Sequence, residues 1–529
     1  MMRVRVDVPC KGYASIAEDV VRLFFPSAEL LRRAGEECGK ECAGDSFRIR
    51  IEVEENKGQG TVRCCWEPPP GPVAAALAEG NGNSPGSDGL AVPAWGTGWE
   101  ETWSFDFSSL PAAERENEKK RAVKLCVYRL LCCLRGGVPS PWGILTGVRP
   151  VKIVHRLIEK GYGREKVLEV LQKDYAVAPE KAALLWEVAD CQRPFLLPMS
   201  ALKRVASVYV GIPFCPTRCL YCSFPGYPLA RWEKWTEPFL SALLREIEEV
   251  GREMRSLEWK VQSIYIGGGT PTCLGERETA AFLAAVREWF WDSETAEFTV
   301  EGGRPETLTA EKLALLKEYG VSRLSINPQS MQDKTLRLIG RSHSARDIME
   351  AVERARRFGF ATLNMDVIVG LPGETAAEVF STMEEIKKLR PENLTVHTMA
   401  VKRASQLKEE YSRWELPAAE EVNAMLEITR AAAREMGMRP YYLYRLKRIL
   451  GNLENVGYSL PGHESCYNIQ MIEERQTVVG LGGGAGSKWF APETGALAGS
   501  YNPKDPINYV ERVEELIERK KAFLRQLSA

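Results

Sequence analysis

A chain of 529 residues exceeds what one hydrophobic core usually organises, so two to four domains are expected. Hydrophobic residues make up 44% and charged residues 27%, a globular balance that leaves disorder local at most. The 70 Lys and Arg nearly cancel the 71 Asp and Glu. That excludes a global field recruiting nucleic acid or an anionic membrane, and any anionic ligand must be met by a local pocket.

The opening MMRVRVDVPC lacks the apolar stretch of a signal peptide, and no apolar run reaches the length of a membrane span, so a cytoplasmic protein without a membrane partner is expected. In that reducing compartment the 14 cysteines are read mostly as small buried hydrophobes, not as a disulfide framework. RVRVDV and SFRIRIEVEE alternate with a period of two and predict half-buried strands. Residues 67–95, opening EPPPGP, are crowded with Pro, Gly, Ser and Asn and read as a flexible loop. EKKRAVKLCVYRLLCCLRGG follows with helical spacing and a terminal Gly pair, which puts Cys126, Cys132 and Cys133 on a packed helix. The adjacent Cys132 and Cys133 point apart on a helix and make a poor ligand pair. Residues 1–195 are thus expected as an N-terminal α+β region.

From 205 to 435 a strand-then-helix pattern repeats six times, with strands near SVYVGI, SIYIGG, EFTVEG, SRLSIN, LNMDVIVG and LTVHTMA. Such alternation predicts an α/β fold built on a parallel sheet, open or partly closed into a barrel, with chemistry at the carboxyl ends of the strands. The remainder, 436–529, is expected as a smaller C-terminal region, turn-rich and closed by an amphipathic helix, NYVERVEELIERKKAFLRQL.

The loop after the first of these strands reads GIPFCPTRCLYCSFPGY and carries Cys215, Cys219 and Cys222 in a CxxxCxxC spacing with no fourth cysteine. A structural zinc site wants four ligands, a catalytic zinc favours His and carboxylate, and a disulfide fails on odd number and compartment. A 4Fe-4S cluster with one iron left open to a chelating ligand fits three thiolates best.

In that setting VYVGIPFCPTRCLYC, IYIGGGTPT, TVEGGRPETL, VSRLSINPQSMQD, LIGRSH and NMDVIVGLPGET resemble the radical S-adenosylmethionine (SAM) superfamily, and within it the oxygen-independent coproporphyrinogen III oxidase group. PWGILTGVRP before the barrel, with YYLYRLKRILGNLENVGYSLPG and CYNIQMIEERQTVVGLGGGAGSK after it, resemble the coproporphyrinogen dehydrogenase (HemZ-type) branch. The resemblance implies a partial (β/α)6 radical SAM barrel in which the amine and carboxylate of SAM complete the cluster, and one electron then releases a 5′-deoxyadenosyl radical. It implies that Gly268, Gly269 and Thr270 line the methionyl end, that Glu301, Gln329, Asp366 and Ala400 contact the cofactor, and that Arg341 pairs with the SAM carboxylate. Tyr209 falls beside the cluster and SAM, and Tyr221 inside the cysteine loop covers the adenine or shields the cluster. Tyr209 and Glu301 are the catalytic candidates. The implied reaction is oxidative decarboxylation of coproporphyrinogen III to protoporphyrinogen IX, fed by a low-potential donor such as flavodoxin or ferredoxin. The alternatives are a haem-binding or haem-delivering protein of the same group, or radical chemistry on another tetrapyrrole.

Two positions depart from the group's oxidases: Gly211 stands where a His is often carried, and Phe224 where a further Cys follows the third ligand. Group members lacking both include haem-binding proteins. SCYNIQ around Cys466 offers an axial thiolate or an inert buried Cys. VVGLGGGAGSK is read as a strand-to-turn near the barrel mouth, because no βαβ unit follows and Lys488 comes after Ser487. His343, His397 and His463 receive no catalytic role, and YRLKR offers Arg445, Lys447 and Arg448 either to propionates or to solvent.

Overall fold

The computed structural model describes residues 3–8, 11–24, 29–34, 47–56, 59–67, 99–106, 112–135, 140–224, 226–402, 405–409, 413–446 and 449–529. These form two compact units, one of residues 1–147 with 156–186 and one of 148–155 with 187–529.

In the first unit, strands β1 (Arg3–Val8), β2 (Glu29–Ala34), β3 (Phe47–Asn56), β4 (Gln59–Glu67) and β5 (Trp99–Asp106) build one sheet in the order β2-β1-β3-β4-β5. The period-two pattern sets one face: Val4, Val6, Ile49, Ile51, Val62, Cys64 and Trp66 are all buried. The helices Lys11–Phe24 and Ala112–Arg135 pack on that face through Ala17, Val20, Val21, Leu125 and Leu131. Cys126 sits inside this core, its thiol 3.4 Å from the Val62 carbonyl. The loop expected at 67–95 lies outside the described residues except for Glu67, the last residue of β4.

The second unit holds β6 (Val205–Ile212), β7 (Phe214–Cys215), β8 (Tyr227–Pro228), β9 (Lys260–Gly268), β10 (Glu297–Glu301), β11 (Arg323–Ser325), β12 (Thr362–Val369), β13 (Asn393–Thr398), β14 (Arg439–Tyr444), β15 (Asn455–Ser459), β16 (Thr477–Gly482), β17 (Gly486–Ala491) and β18 (Ala496–Tyr501). Eleven of them form one sheet, β14-β15-β13-β12-β11-β10-β9-β6-β16-β17-β18. The six strands β6, β9, β10, β11, β12 and β13 are all parallel and alternate with helices, as the βα rhythm of the sequence predicts. Residues 436–529, expected as a smaller C-terminal region, extend the same sheet at both edges. β15 and β14 continue it antiparallel beyond β13, while β16 runs parallel to β6 and leads into β17 and β18. These added strands are five or six residues long and interrupted by Gly and Pro, so their periodicity is too short to separate strand from turn.

Each parallel strand turns apolar residues, such as Val208, Ile264, Phe298, Leu324 and Val396, into a buried core. The alternate positions are polar or aromatic, and register places Tyr209 beside Tyr265, Gly211 beside Gly267, Glu301 beside Ser325 and Asp366 beside Thr395. A sheet packed to be inert on both faces would be near-continuously aliphatic. This one keeps a polar inner face, and the strand ends of that face form the site.

The Gly-rich segment is the β16–β17 turn. Glu246, fully buried on the helix Thr236–Ser256, accepts from the Gly482 N–H at 2.7 Å, the Tyr509 hydroxyl at 2.7 Å and the Lys520 ammonium at 2.7 Å. The terminal helix Val513–Ser528 is therefore fastened through Lys520 to the glycine turn, a role beyond simple amphipathic packing. No helix among the described residues is long and apolar enough to cross a membrane.

Candidate active site at the barrel mouth

The cysteine loop leaves β6 through Pro213 and is pinned on three sides. The Tyr227 N–H donates to the Pro213 carbonyl at 2.8 Å, the Leu220 N–H to Ile339 at 3.0 Å, and the Thr217 hydroxyl to Gly340 at 3.0 Å. Cys215 and Cys219 are buried and Cys222 half-buried. The Thr270 hydroxyl lies 3.5 Å from Cys215 Sγ, and Arg304 Nη2 donates to Cys219 Sγ at 3.1 Å and to the Thr217 carbonyl at 3.0 Å. Burial pushes the Cys215 thiol up to about 11, against the Thr270 hydrogen bond, and raises Cys222 with Cys219 adding to the effect. Three clustered thiols held in a poorly hydrated loop become stable thiolates only beside a cation, and sulfur donors select soft iron centres. A polynuclear cluster, which spreads its ligands, is the group these thiols fit.

Glycines bring β9 against this loop. A Cβ at Gly269 would lie 2.4 Å from the Phe214 carbonyl and 2.9 Å from Cys215 Sγ, and Gly268 adopts φ +112°. The amides of Gly269 and Thr270 donate to Ile212 at 2.8 Å and Phe214 at 2.7 Å. The run therefore clamps the thiol loop to the strand end, and its bare Cα edge is what it offers a ligand.

Glu301 ends β10, 2.6 Å from the Tyr265 hydroxyl, and burial pushes its carboxyl up to about 7, with the Asp366 charge adding and the Tyr265 hydrogen bond opposing. Tyr209 stacks at 6.2 Å on Tyr265 and at 6.1 Å on Tyr467, and Tyr265 and Tyr467 lie 4.4 Å apart. Gln329 is held at φ +68° between strands, its N–H on the Asp366 carbonyl and its own carbonyl on the Ile368 N–H. Its buried Oε1 has no donor. An orphaned acceptor on a strained residue at a strand end suits a ligand hydroxyl. Asp366 is held by Asn364 at 2.7 Å and faces His397 Nε2 at 3.6 Å, whose Nδ1 meets the Tyr444 hydroxyl at 3.0 Å. Ala400, buried just past β13, bridges to Ile449. Burial drives the Tyr221 phenol well up, with Cys219 adding to the effect and Arg341 opposing it.

Arg341 departs from expectation. Its Nη1 donates to the Asn327 and Pro328 carbonyls and its Nη2 to Gly303 at 2.8 Å, so both arms of the fork are occupied by strand-end backbone. Nε lacks a partner and Nη2 keeps one N–H beyond its bond to Gly303, so this single edge of the guanidinium is what is left to face a carboxylate. Arg445 is likewise turned inward. It is buried, donates to the Asn452 carbonyl at 2.8 Å and side chain at 2.6 Å, and burial lowers it to about 10. Lys447 and Arg448 lie outside the described residues.

His343 is structural: it meets Glu306 at 2.8 Å, and despite burial this bond holds Glu306 down at about 2. His463 Nδ1 meets the Thr362 hydroxyl at 2.9 Å. Cys466 is buried with its thiol raised to about 12 by burial and by Glu297, which fits an inert thiol better than a ligand. Gly211 has no room for a side chain, because a Cβ there would stand 2.7 Å from the Gly483 carbonyl. Sequence reasoning missed Arg304, Tyr265 and Tyr467. Arg304 lies inside TVEGGRPETL, Tyr265 inside IYIGGGTPT and Tyr467 inside CYNIQMIEERQ, so the signal for all three was their place in those motifs.

A parallel barrel with a three-thiol loop after its first strand defines a class of protein, and residues 209–386 match the family model of the radical SAM superfamily. The oxygen-independent coproporphyrinogen-III oxidase-like protein HemZ of Bacillus subtilis is 42% identical over 434 residues, 82% of this chain and 86% of the relative. The chain belongs to the radical SAM superfamily and, within it, to the oxygen-independent coproporphyrinogen-III oxidase-like family. Its cofactors are a 4Fe-4S cluster and SAM. The heme chaperone HemW of the same organism is 31% identical over 53% of this chain and 70% of its own length. The structure of coproporphyrinogen III oxidase HemN from Escherichia coli is similar over 62% of this chain and 73% of that chain, at 24% identity and a TM-score of 0.49.

Proposed function

We propose that the protein removes two propionate carboxyl groups from coproporphyrinogen III, oxidatively and without oxygen, to give protoporphyrinogen IX. Cys215, Cys219 and Cys222 hold the cluster, and Thr270 and Arg304 donate to its sulfur ligands. Bound together, cluster and SAM supply a carbon radical that removes one hydrogen atom from a propionate side chain. Gln329 Oε1 and Asp366 accept from the ribose hydroxyls, and Arg341 fixes the three strand ends around them. Glu301, near neutrality, holds or releases a proton at Oε1 on the side of the stacked tyrosines. Tyr209, Tyr265 and Tyr467 give the inner face a flat aromatic wall that keeps water from the reacting side chain.

The observation that carries this reading is the continuity between the thiol loop and that aromatic, polar inner face. Its support beyond the barrel is the oxidase-like relative, which runs along 82% of the chain where the heme chaperone runs along 53%. A haem-delivering role is the second reading. It is favoured by Gly211, where the packing leaves no space for the side chain that the group's oxidases often carry. Anaerobic incubation of the reconstituted protein with coproporphyrinogen III, SAM and a reductant separates the two. Carbon dioxide and protoporphyrinogen support the first, and stoichiometric haem binding without porphyrinogen-stimulated SAM cleavage supports the second.

A further inference from the structure

The three thiols differ in what faces them. Cys215 is covered by Gly269 and Thr270, and Cys219 by Arg304. Cys222 is half-buried where Cys215 and Cys219 are buried. Two residues further on, Phe224 is 61% exposed, an unusual position for a large apolar side chain. The Lys402 ammonium stands 5.1 Å from the centre of its ring. Arg218 and Lys504 are exposed beside them, in a chain whose net charge is only −1. Lys402 and Arg218 act electrostatically on Cys222, and Lys504 acts on Lys402. Neither Lys402 nor Lys504 forms an ion pair with a described carboxylate. The neighbouring Asp505 caps the helix Pro506–Glu511, accepting from the Asn508 N–H at 3.0 Å and its side-chain amide at 3.1 Å, so its charge is directed into a helix end.

We propose that the surface formed by Phe224, Lys402, Lys504 and Arg218 over Cys222 is the docking site of an acidic, low-potential one-electron carrier protein. The proposal rests on the assignment of Cys222 to the cluster. A small apolar centre rimmed by charge of one sign is what a transient redox encounter uses: little buried area, fast electrostatic capture and easy release. An acidic partner completes the charge, and docking over the most accessible thiolate gives the shortest path to the cluster. One electron leaves the carrier, which is oxidised by one, and enters the cluster, which is reduced by one; no bond or proton is exchanged.

The test uses the full-length reconstituted protein, with a purified flavodoxin in its fully reduced state as the probe. Cluster reduction is followed anaerobically by bleaching and by electron paramagnetic resonance. The double variant Lys402→Glu, Lys504→Glu is expected to be reduced about tenfold more slowly by flavodoxin than wild type. Raising NaCl from about 0.05 M to about 0.5 M should slow wild type and leave the variant nearly unchanged. Phe224→Ala should weaken flavodoxin binding measured by surface plasmon resonance. Dithionite, a small reductant that needs no docking face, should lose far less rate between wild type and the variants than flavodoxin does, since a change in cluster potential from losing the Lys402 charge reaches both reductants and loss of docking only one. Equal rates with flavodoxin in wild type and the double variant, both holding an intact cluster, overturn the docking site alone. Absence of a reduced-cluster signal with dithionite in wild type overturns the cluster assignment, and the docking site with it.

Discussion

The Tyr265 hydroxyl donates to Glu301 at 2.6 Å, yet the carboxyl it serves is pushed up to about 7 from an ordinary 4.5. Burial therefore outweighs the hydrogen bond. Between pH 4.5 and 7 the folded, cofactor-free protein retains a proton on Glu301 that the unfolded chain has lost. Stability from this group is intact below the lower value and falls as pH rises through the upper one, by at most about 3 kcal/mol. Glu473, also raised to about 7 by burial, adds a slope of the same sign, so the comparison must be made against a variant. Glu301→Gln is expected to gain on wild type between pH 5 and pH 7.5 in urea unfolding, and Tyr265→Phe to raise the Glu301 midpoint further. Identical pH slopes in wild type and Glu301→Gln would show the carboxyl to be unshifted.

A second prediction concerns Gly211, which meets the β16 turn back to back. Added Cβ atoms would stand 2.7 Å from the Gly483 carbonyl at Gly211 and 2.3 Å from the Gly211 carbonyl at Gly482. Both obstacles are backbone and cannot rotate away. Gly211→Ala should cost about 1–3 kcal/mol through overpacking, and Gly211→His more. Thermal unfolding measures the loss. A Gly211→His variant as stable as wild type would mean that the turn yields easily, and that the oxidases' histidine could be accommodated.

The contrast between residues that could be read from sequence and those that could not has a physical basis. The six parallel strands were legible because short apolar runs, most of them with β-branched residues, alternate with longer amphipathic helices, two periods that differ. The thiol loop was legible because three cysteines exclude most four-ligand chemistry. Of the later strands only β16, read as a strand leading into a turn, was legible; β14, β15, β17 and β18 are five or six residues long, too short for a period to show. Arg341 shows the limit from the other side. Its position was legible, but its fork is occupied by carbonyls of residues 303, 327 and 328, contacts that only the folded strand ends bring together. Arg304, one of several arginines by sequence, touches a cluster thiol only because the turn after β10 passes under the loop.

The Glu246–Lys520 pair gives a third prediction. Both side chains are fully buried and 2.7 Å apart, and burial lowers the lysine while Glu246 restores it. Lys520→Met leaves a buried carboxylate with Tyr509, Asn502 and the Gly482 N–H but no counter-charge, and should cost about 3–5 kcal/mol. The double variant Glu246→Gln, Lys520→Met should recover part of that loss. Chemical denaturation of wild type, Glu246→Gln, Lys520→Met and the double variant provides the cycle. Additive effects would mean that the Glu246–Lys520 pair carries no coupling and does not itself fasten the terminal helix.

Arg304 is the residue whose loss should reach the cluster without removing a ligand. It is 2% exposed, donates from Nη2 to Cys219 Sγ at 3.1 Å, and through Thr217 also fixes the loop that presents the thiol. A cationic donor on a ligand sulfur stabilises the more negative, reduced cluster relative to the oxidised one, because added electron density on sulfur strengthens the bond. Removing it should therefore make reduction harder. A charge-assisted hydrogen bond of about 1.5–3 kcal/mol bounds the effect near 100 mV for one electron. Arg304→Met, and Arg304→Lys as the charge-preserving control, are to be reconstituted anaerobically, assayed for iron, and titrated potentiometrically with detection by electron paramagnetic resonance. The methionine variant is expected to keep its iron and shift to lower potential by tens of millivolts, with the lysine variant in between. If the iron is retained and all three potentials coincide, the Arg304–Cys219 contact shapes the loop and has no part in tuning the cluster.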